Sequence, residues 1–490
     1  MSQVQTGEHI WDVVIIGGGI TGLSAAAALA DSGLEILLLE QDILANGTTG
    51  GNSSQMMSLV DLDPKRAFDK YELDTAQLMT KSLVEAQKFV ESTCLKYDIT
   101  HKAEFKYLPA YLFANTEDQA QHLLDVMDIG TQCGLDISHH QGKMHKLPYT
   151  SYLRIENQAH LNASGYVKAL ADKLKGLNKL TTYEHTLVNR IDESNDLCIL
   201  ETEYGKIFAN KIIEATHTPV SFNPAQTEIF PHVSYCILAD SPLAAKLDGI
   251  MLDTDENYMY MTPTKYEGKD ALIVGGYDTK VGGETEVDSI EMLTQWAMKY
   301  TGATKVHSSW ANIYFESADG LPFIGRSALG SETYIACGYG GDGLSFGTVA
   351  GLLIADLIQD RENPYAEMYN SRRLNIFAGG LNILKGNIEA VRTLIGDRIA
   401  GLKEVDVANL PINTGKVGLI GGKKIAAYKD ERGILHTMSP VCPHMGGIVH
   451  WNDAAKTWDC PIHGARFCPK GEMKAAPAMS SLERKSVSLL

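Results

Sequence analysis

Apolar positions follow two different rhythms along this chain. Near the N-terminus Trp11 and Val13 to Ile16 form a short continuous block, the pattern of a parallel strand buried on both faces. An Ala-rich helix is predicted from about Leu23 to Asp31, and a second strand ends at Glu40. From about Pro64 to Tyr97 the apolar residues recur with helical period, as in Ala76-Gln77-Leu78-Met79 and Leu83-Val84-Glu85-Ala86, and Phe105 to Phe113 reads as extended. Residues 231–315 are rich in strand-like pieces, among them Tyr258-Met259-Tyr260-Met261 and Ala271 to Tyr277. From Tyr365 to about Gly401 the period is helical again, with Ile376, Leu381, Leu384, Ile388, Val391 and Leu394 on one stripe. No internal repeat or low-complexity tract is visible.

Composition narrows the picture modestly. At 490 residues the chain is expected to hold two to four domains, and 44% hydrophobic with 21% charged residues is ordinary globular usage. Lys and Arg total 43 against 60 Asp and Glu, a net charge of −17 that argues against nucleic acid or an anionic membrane surface as partner. The apolar run Val13 to Ala30 is barely long enough to span a bilayer, contains three adjacent Gly, and lacks a basic flank, so neither a membrane span nor a signal peptide is expected. Eight Cys without framework spacing make a reducing cytoplasm the expected compartment.

Gly17-Gly18-Gly19-Ile20-Thr21-Gly22 stands between the first strand and the first helix, which is G-x-G-x-x-G in the context its chemistry requires. Gly17 permits the tight turn, Gly19 lets a pyrophosphate approach the backbone, and Gly22 allows close helix–strand packing. The phosphates then meet the unpaired N–H groups and positive dipole end of the helix. Glu40, eighteen positions after the last Gly, is placed to accept from a ribose. The motif alone does not separate FAD from NAD.

Near the other end Cys442-Pro443-His444 is followed, after fifteen residues, by Cys460-Pro461-Ile462-His463. The pairs C-x-H and C-x-x-H suit a [2Fe–2S] centre in which one iron takes two thiolates and the other two imidazoles. A zinc ribbon is the competing reading, although zinc hairpins usually use C-x-x-C or H-x₃₋₅-H. The Gly-bearing turns Met445-Gly446-Gly447 and Gly464-Ala465-Arg466-Phe467 let backbone N–H groups approach sulfur. From about Val405 to its end the chain resembles the Rieske ferredoxin-like domain. That resemblance implies an all-β fold and Cys442, His444, Cys460 and His463 as cluster ligands. The extra disulfide of high-potential relatives is replaced by Gly447 and Ile462, which implies a low or middle potential. Cys468 is expected to be a buried small residue and not a fifth ligand.

Further segments resemble the D-amino-acid oxidase and glycine oxidase superfamily and point to FAD. They are the loop Gly47 to Ser54, the strand around Val188, the segment Lys211-Ile212-Ile213-Glu214-Ala215-Thr216, and Tyr334 to Leu344 leading into an apolar helix that ends near Ile358. The resemblance implies FAD contacts from Gly17, Gly19, Ile20, Thr21, Gly22, Glu40, Gln41, Thr48, Thr49, Ser53, Ser54, Val188, Gly340, Gly341, Gly343 and Leu344. It also implies that the last helix points its N-terminus at the flavin's pyrimidine end. The fold class expected is an α/β FAD-binding domain, Rossmann-like and of glutathione-reductase type, interleaved with an α+β substrate domain. FAD-binding parts would occupy about 8–60, 160–220 and 320–365, and the substrate domain about 64–158 and 225–315, within an oxidoreductase unit of 1–365. A helical connector at 366–402 would clamp this unit to the Rieske domain at 403–490; Tyr369 to Arg373 and Gly396-Asp397-Arg398 look like such connectors.

Together the cofactors imply a two-to-one electron converter, because flavin accepts electron pairs and the cluster carries one electron at a time. A small amine or amino-acid-like substrate would reduce FAD, and electrons would leave through the cluster to an external acceptor protein, a dehydrogenase more than an oxidase. Reverse flow from a donor protein, or a cluster acting as redox sensor or structural pin, stays open. A Rieske oxygenase needs a mononuclear iron held by two His and a carboxylate; no such spacing stands out, and only 27 residues follow His463. No catalytic residue is assigned. The Arg that often precedes Asp-Gly-x-Pro in amino-acid oxidases is replaced by Tyr314, before Asp319-Gly320-Leu321-Pro322. Tyr258 and Tyr260 offer hydroxyls or simply pack, Trp310 is expected in the core, and His217, His139, His140 and His145 have no recognisable partner spacing.

Overall fold

The computed structural model describes residues 9–194, 197–255, 258–282, 288–330, 332–373, 404, 405, 407 and 409–486. The apolar block at the N-terminus becomes the strand Ile10–Ile16, and its Val13, Val14 and Ile15 are completely buried. It pairs in parallel with Gly205–Glu214 on one side and Ile36–Leu39 on the other. The sheet runs in the order 323–326, 333–337, 205–214, 10–16, 36–39, 181–183, with the hairpin 188–194 and 197–202 on the edge of 205–214. The helices Ile20–Leu29 and Gly343–Ile358 pack together over it. Glycine is required there: a Cβ on Gly351 would lie 2.6 Å from Ser24 Cβ and 2.7 Å from Ala25 N.

A second, nine-stranded sheet runs in the order 305–317, 229–240, 269–280, 259–266, 250–253, 106–114, 151–160, 55–56, with 137–141 beside 151–160. Gln55–Met56 belongs to it although the flanking chain serves the first sheet. The predicted long helix is Pro64–Lys96, started by Asp63, which accepts the Arg66 N–H at 2.9 Å, and kinked where Glu72 has φ +74°. The extended stretch after it is Lys106–Ala114. The expected architecture of an α/β nucleotide-binding domain interleaved with an α+β domain is therefore observed.

The helical expectation beginning at Tyr365 is corrected for its first part, since residues 365–373 form turns. Tertiary ties override the local period. Asn370 bridges Ile324, and Arg373 forks onto buried Asp319 with two bonds of 2.9 Å, donates to Pro322 O at 2.7 Å, and stacks 4.0 Å from the centre of the Phe323 ring. The rest of the expected connector, including Gly396-Asp397-Arg398, lies outside the described residues. Burial alone would raise the Asp319 carboxyl, but the Arg373 fork outweighs it and holds the group below its usual range. Arg373→Ala would strand that buried carboxylate, and a loss of about 3–5 kcal/mol is expected. Urea unfolding followed by tryptophan fluorescence measures it.

The C-terminal part is all-β. Thr414–Ile420, Lys423–Lys429 and Leu435–Met438 form one small sheet, and His450–Asn452, Thr457–Asp459, Arg466–Phe467 and Met473–Ala475 form another. Their shared core holds Trp458, Phe467 and Val449. Among the described residues no helix is long and apolar enough to cross a membrane.

Candidate functional site

The C-terminal ends of the parallel strands open into a cavity of about 870 Å³ that continues under the second sheet. Gly17, with φ +108°, has Ala215 O against the position of a Cβ, and a Cβ on Gly19 would meet Thr49 Oγ1 at 2.9 Å. Gly22 faces Gly17 O and serves helix–strand packing; it does not line the cavity. Ile20 N–H donates to Thr49 Oγ1 at 3.1 Å, and the Thr21 and Tyr339 hydroxyls meet at 3.1 Å. Glu40 accepts the Gly18 N–H at 2.7 Å and the Asp42 N–H at 2.9 Å, which leaves lone pairs on both oxygens for further donors.

Thr48, Thr49, Ser53, Gln41, Val188, Gly340, Gly341, Gly343 and Leu344 also line this cavity, but Ser54 does not. Ser54 N–H donates to Asn52 Oδ1 at 2.6 Å and its carbonyl accepts Leu161 N–H, so it shapes the loop. Gln41 reaches across to Lys474 O at 2.7 Å in the C-terminal part. The Gly340 and Gly341 amides are taken by Phe315 O at 2.9 Å and Asp61 Oδ2 at 3.1 Å. A long cavity with a glycine cradle at one end fits an extended dinucleotide, and these residues are the ones that would hold it.

The second sheet supplies the other wall, and here several sequence expectations change. Trp310 packs against the core as expected, but it is only half-buried and its indole N–H donates to Gly51 O at 2.8 Å, beside the Asn312 amide at 2.6 Å. Tyr258 and Tyr260 both face the cavity; the Tyr260 hydroxyl meets Ser234 Oγ at 2.9 Å and Cys236 Sγ at 3.1 Å. Tyr314 also lines it, stacked on His232 at 5.5 Å. His217 lies in the cavity wall, 3.4 Å from Thr48 Oγ1 and edge-on to Phe315 at 4.8 Å. Burial, and then the Arg466 charge, push its imidazole down to about 4. His140 stacks on Tyr152, outside the site.

Sequence reading missed three carboxyl groups. Asp278 is pushed up to about 7 by burial, against the lowering effect of Ser234 and Tyr314 hydrogen bonds. Asp61 and Asp342 meet through the Asp61 N–H, which donates to Asp342 Oδ2 at 2.9 Å, and burial raises both. Asp278 directly follows the apolar strand run Ala271 to Tyr277, the one local hint of its position.

The two Cys–His loops have the same backbone frame. Cys442 N–H donates to Gly447 O at 2.7 Å and Gly446 N–H to Cys442 O at 2.9 Å; Cys460 N–H donates to Ala465 O at 2.8 Å and Gly464 N–H to Cys460 O at 2.9 Å. Gly446 and Gly464 close these turns at φ +74° and +68°. The frames bring the Cys442 and Cys460 thiols within hydrogen-bonding reach and the His444 and His463 rings to 5.1 Å. His463 Nδ1 is buried without a partner, and burial with the nearby His444 pushes the ring down to about 4, the neutral state a metal ligand needs. A two-iron cluster asks for two ligands per iron, which is how the two thiols and the two rings are grouped here. A donor set of two thiols and two imidazoles therefore fits the cluster. Gly447 faces Ile462, where a Cβ would lie 2.7 Å from Ile462 Cγ1, so the positions that replace the disulfide do oppose each other. Cys468 is half-buried, with its thiol 3.6 Å from Glu472 Oε2.

The second loop rests on the large unit. A Cβ on Gly464 would lie 2.6 Å from Phe315 Cζ and 3.2 Å from Pro231 Cβ, and Gly282 similarly faces Pro461 at 2.7 Å. Buried Arg466 pairs with Asp459 at 3.0 Å and donates to Ala311 O at 3.3 Å.

Residues 12–357 match the family of FAD dependent oxidoreductases, and residues 402–486 match the Rieske [2Fe-2S] domain. YhfW of Bacillus subtilis (strain 168), named provisionally as a Rieske 2Fe-2S iron-sulfur protein, is 27% identical over 479 residues, covering 96% of this chain and 93% of that protein. Gamma-glutamylputrescine oxidoreductase of Escherichia coli (strain K12) is 24% identical over 71% of this chain and 83% of its own length. The crystal structure of glycine oxidase from Geobacillus kaustophilus superposes with a TM-score of 0.63 at 17% identity, covering 75% of this chain and 100% of that one.

Proposed function

Because the chain belongs to the family of FAD dependent oxidoreductases and ends in a Rieske [2Fe-2S] domain, we propose that it oxidises a small amine or amino-acid-like molecule at FAD and sends the electrons singly through the cluster to an external acceptor protein. The observation that carries this reading is the position of Phe315. Its ring packs against Gly464 in the second ligand loop, while its carbonyl accepts the Gly340 N–H at the mouth of the helix that borders the flavin cavity. One residue thus touches both sites.

Bound FAD supplies a two-electron acceptor and the cluster a one-electron carrier. The chain's part is to hold them. Gly17, Gly19 and the Ile20–Leu29 helix N-terminus would seat the pyrophosphate, Glu40 the ribose, and the loop from Thr48 to Ser53 the flavin, with Trp310 and Asn312 fixing that loop at Gly51. Cys442, His444, Cys460 and His463 would hold the cluster. The relative named for an amine-containing substrate supports the substrate class.

Anaerobic titration with amines, N-methyl amino acids and NAD(P)H, read by flavin absorbance and EPR, tests this. An amine or amino acid is expected to bleach the flavin and then bring up the reduced-cluster signal. Reduction by NAD(P)H alone would instead make the protein an electron-delivering reductase. Bleaching with a silent cluster would leave the cluster a sensor or structural element.

A further inference from the structure

The cavity wall formed by the second sheet is acidic: Arg66 acts on Asp61 and His232 lies 4.0 Å from Glu316, but among the described residues no Lys or Arg side chain pairs with Asp278. Asp278 Oδ1 is buried without a hydrogen-bond partner, although Ser234 and Tyr314 lie within reach of the same carboxyl group. Asp61, Asp342 and Glu316 line the same space. The two guanidinium groups on the lining are committed elsewhere: Arg66 pairs with Asp63 at 3.3 Å and donates to Asp61 O, and Arg466 is locked to Asp459. His122 rests on Asp63 at 3.0 Å, and Lys474 lies beside Gln41, toward the ribose end. A carboxylate brought against Asp278 would lose hydration and find no cation paired there; an ammonium would satisfy the Asp278 Oδ1 acceptor, which has no partner in the chain.

We propose that the substrate is a primary or secondary amine that enters as its ammonium ion, carries no carboxylate beside the reacting carbon, and is held at nitrogen by Asp278. This names the substrate class of the amine-oxidation reading above and rests on it. The ammonium N–H donates to Asp278 Oδ1, and the proton passes to that carboxylate, leaving a neutral amine and a carboxylic acid. Bound FAD would supply the acceptor for the electron pair of the adjacent C–H bond, so that the nitrogen lone pair could form the C=N bond of an iminium ion. Water adds to the iminium, and a carbonyl compound and an amine or ammonia leave. With its carboxyl raised toward neutrality by burial, Asp278 can hold the proton at that stage.

Calorimetry on the dithionite-reduced, FAD-loaded protein reads binding without turnover, using n-butylamine, 1,4-diaminobutane, glycine and butyrate. The amines are expected to bind at least tenfold tighter than glycine or butyrate, and Asp278→Asn to weaken them at least tenfold while retaining FAD. Tighter binding of the carboxylates, no measurable amine binding, or an unchanged affinity in Asp278→Asn overturns the proposal. Should that variant not fold, the ranking in the unaltered protein decides. Amines that bind through Asp278 yet bleach no flavin in the oxidised protein would support the cation site and sink the amine-oxidation reading, so the two fail separately.

Discussion

Cys442→Ser or His463→Ala is expected to abolish the Rieske EPR signal of the reduced protein while FAD remains bound at full stoichiometry. Each of these residues sits in a separate small loop, and the two loops carry matching frames of two backbone hydrogen bonds. Ser offers an alkoxide-forming oxygen where a thiolate is needed, and Ala removes the buried imidazole nitrogen that has no partner within the chain. With the proposed ligand set, either change would leave one iron short of a ligand. The glycine cradle for FAD is built on a different sheet and shares no residue with these loops. EPR at low temperature with flavin quantitation after heat release checks both halves. A normal Rieske signal in either variant would show that the ligands are other residues.

Gly19→Val is expected to give the complementary result, loss of FAD by at least tenfold in affinity with the cluster signal kept. The first carbon added at Gly19 would lie 2.9 Å from Thr49 Oγ1, which already accepts the Ile20 N–H, and the branches beyond it would enter the space beside the helix N-terminus. Two costs combine: the flavin loop must shift, and the phosphates lose their close approach to the backbone. Absorbance of the purified variant and FAD titration of the apoprotein measure the effect. An unchanged flavin spectrum would remove the phosphate-binding role from this turn.

These two candidate sites could be read from the sequence for the same reason: the residues of each lie in short contiguous stretches. A turn between a strand and a helix, or a Cys and a His two or three residues apart, carries its geometry locally. The acidic cavity wall was not legible, because the fold gathers Asp61 from the loop before the long helix, Tyr258 from just before a strand of the second sheet, and Asp278 and Tyr314 from within that sheet. Trp310 was legible only in part, for a related reason. Its large apolar ring suggests a core, but its indole N–H is used to hold Gly51 of a loop some 260 positions away in sequence. The helical expectation at Tyr365 failed because the periodicity of a short stretch competes poorly with a forked, buried ion pair and a bridge to Ile324.

The seating of Gly464 on Phe315 has a kinetic meaning. Two redox partners on separate proteins must find each other, and their exchange slows as they are diluted. Here the ligand loop is already in place on the surface it would exchange with, on the same chain. Under the proposed electron route, hand-off between the two centres would be a first-order event whose rate constant is indifferent to protein concentration, and only delivery to an outside acceptor would depend on encounter.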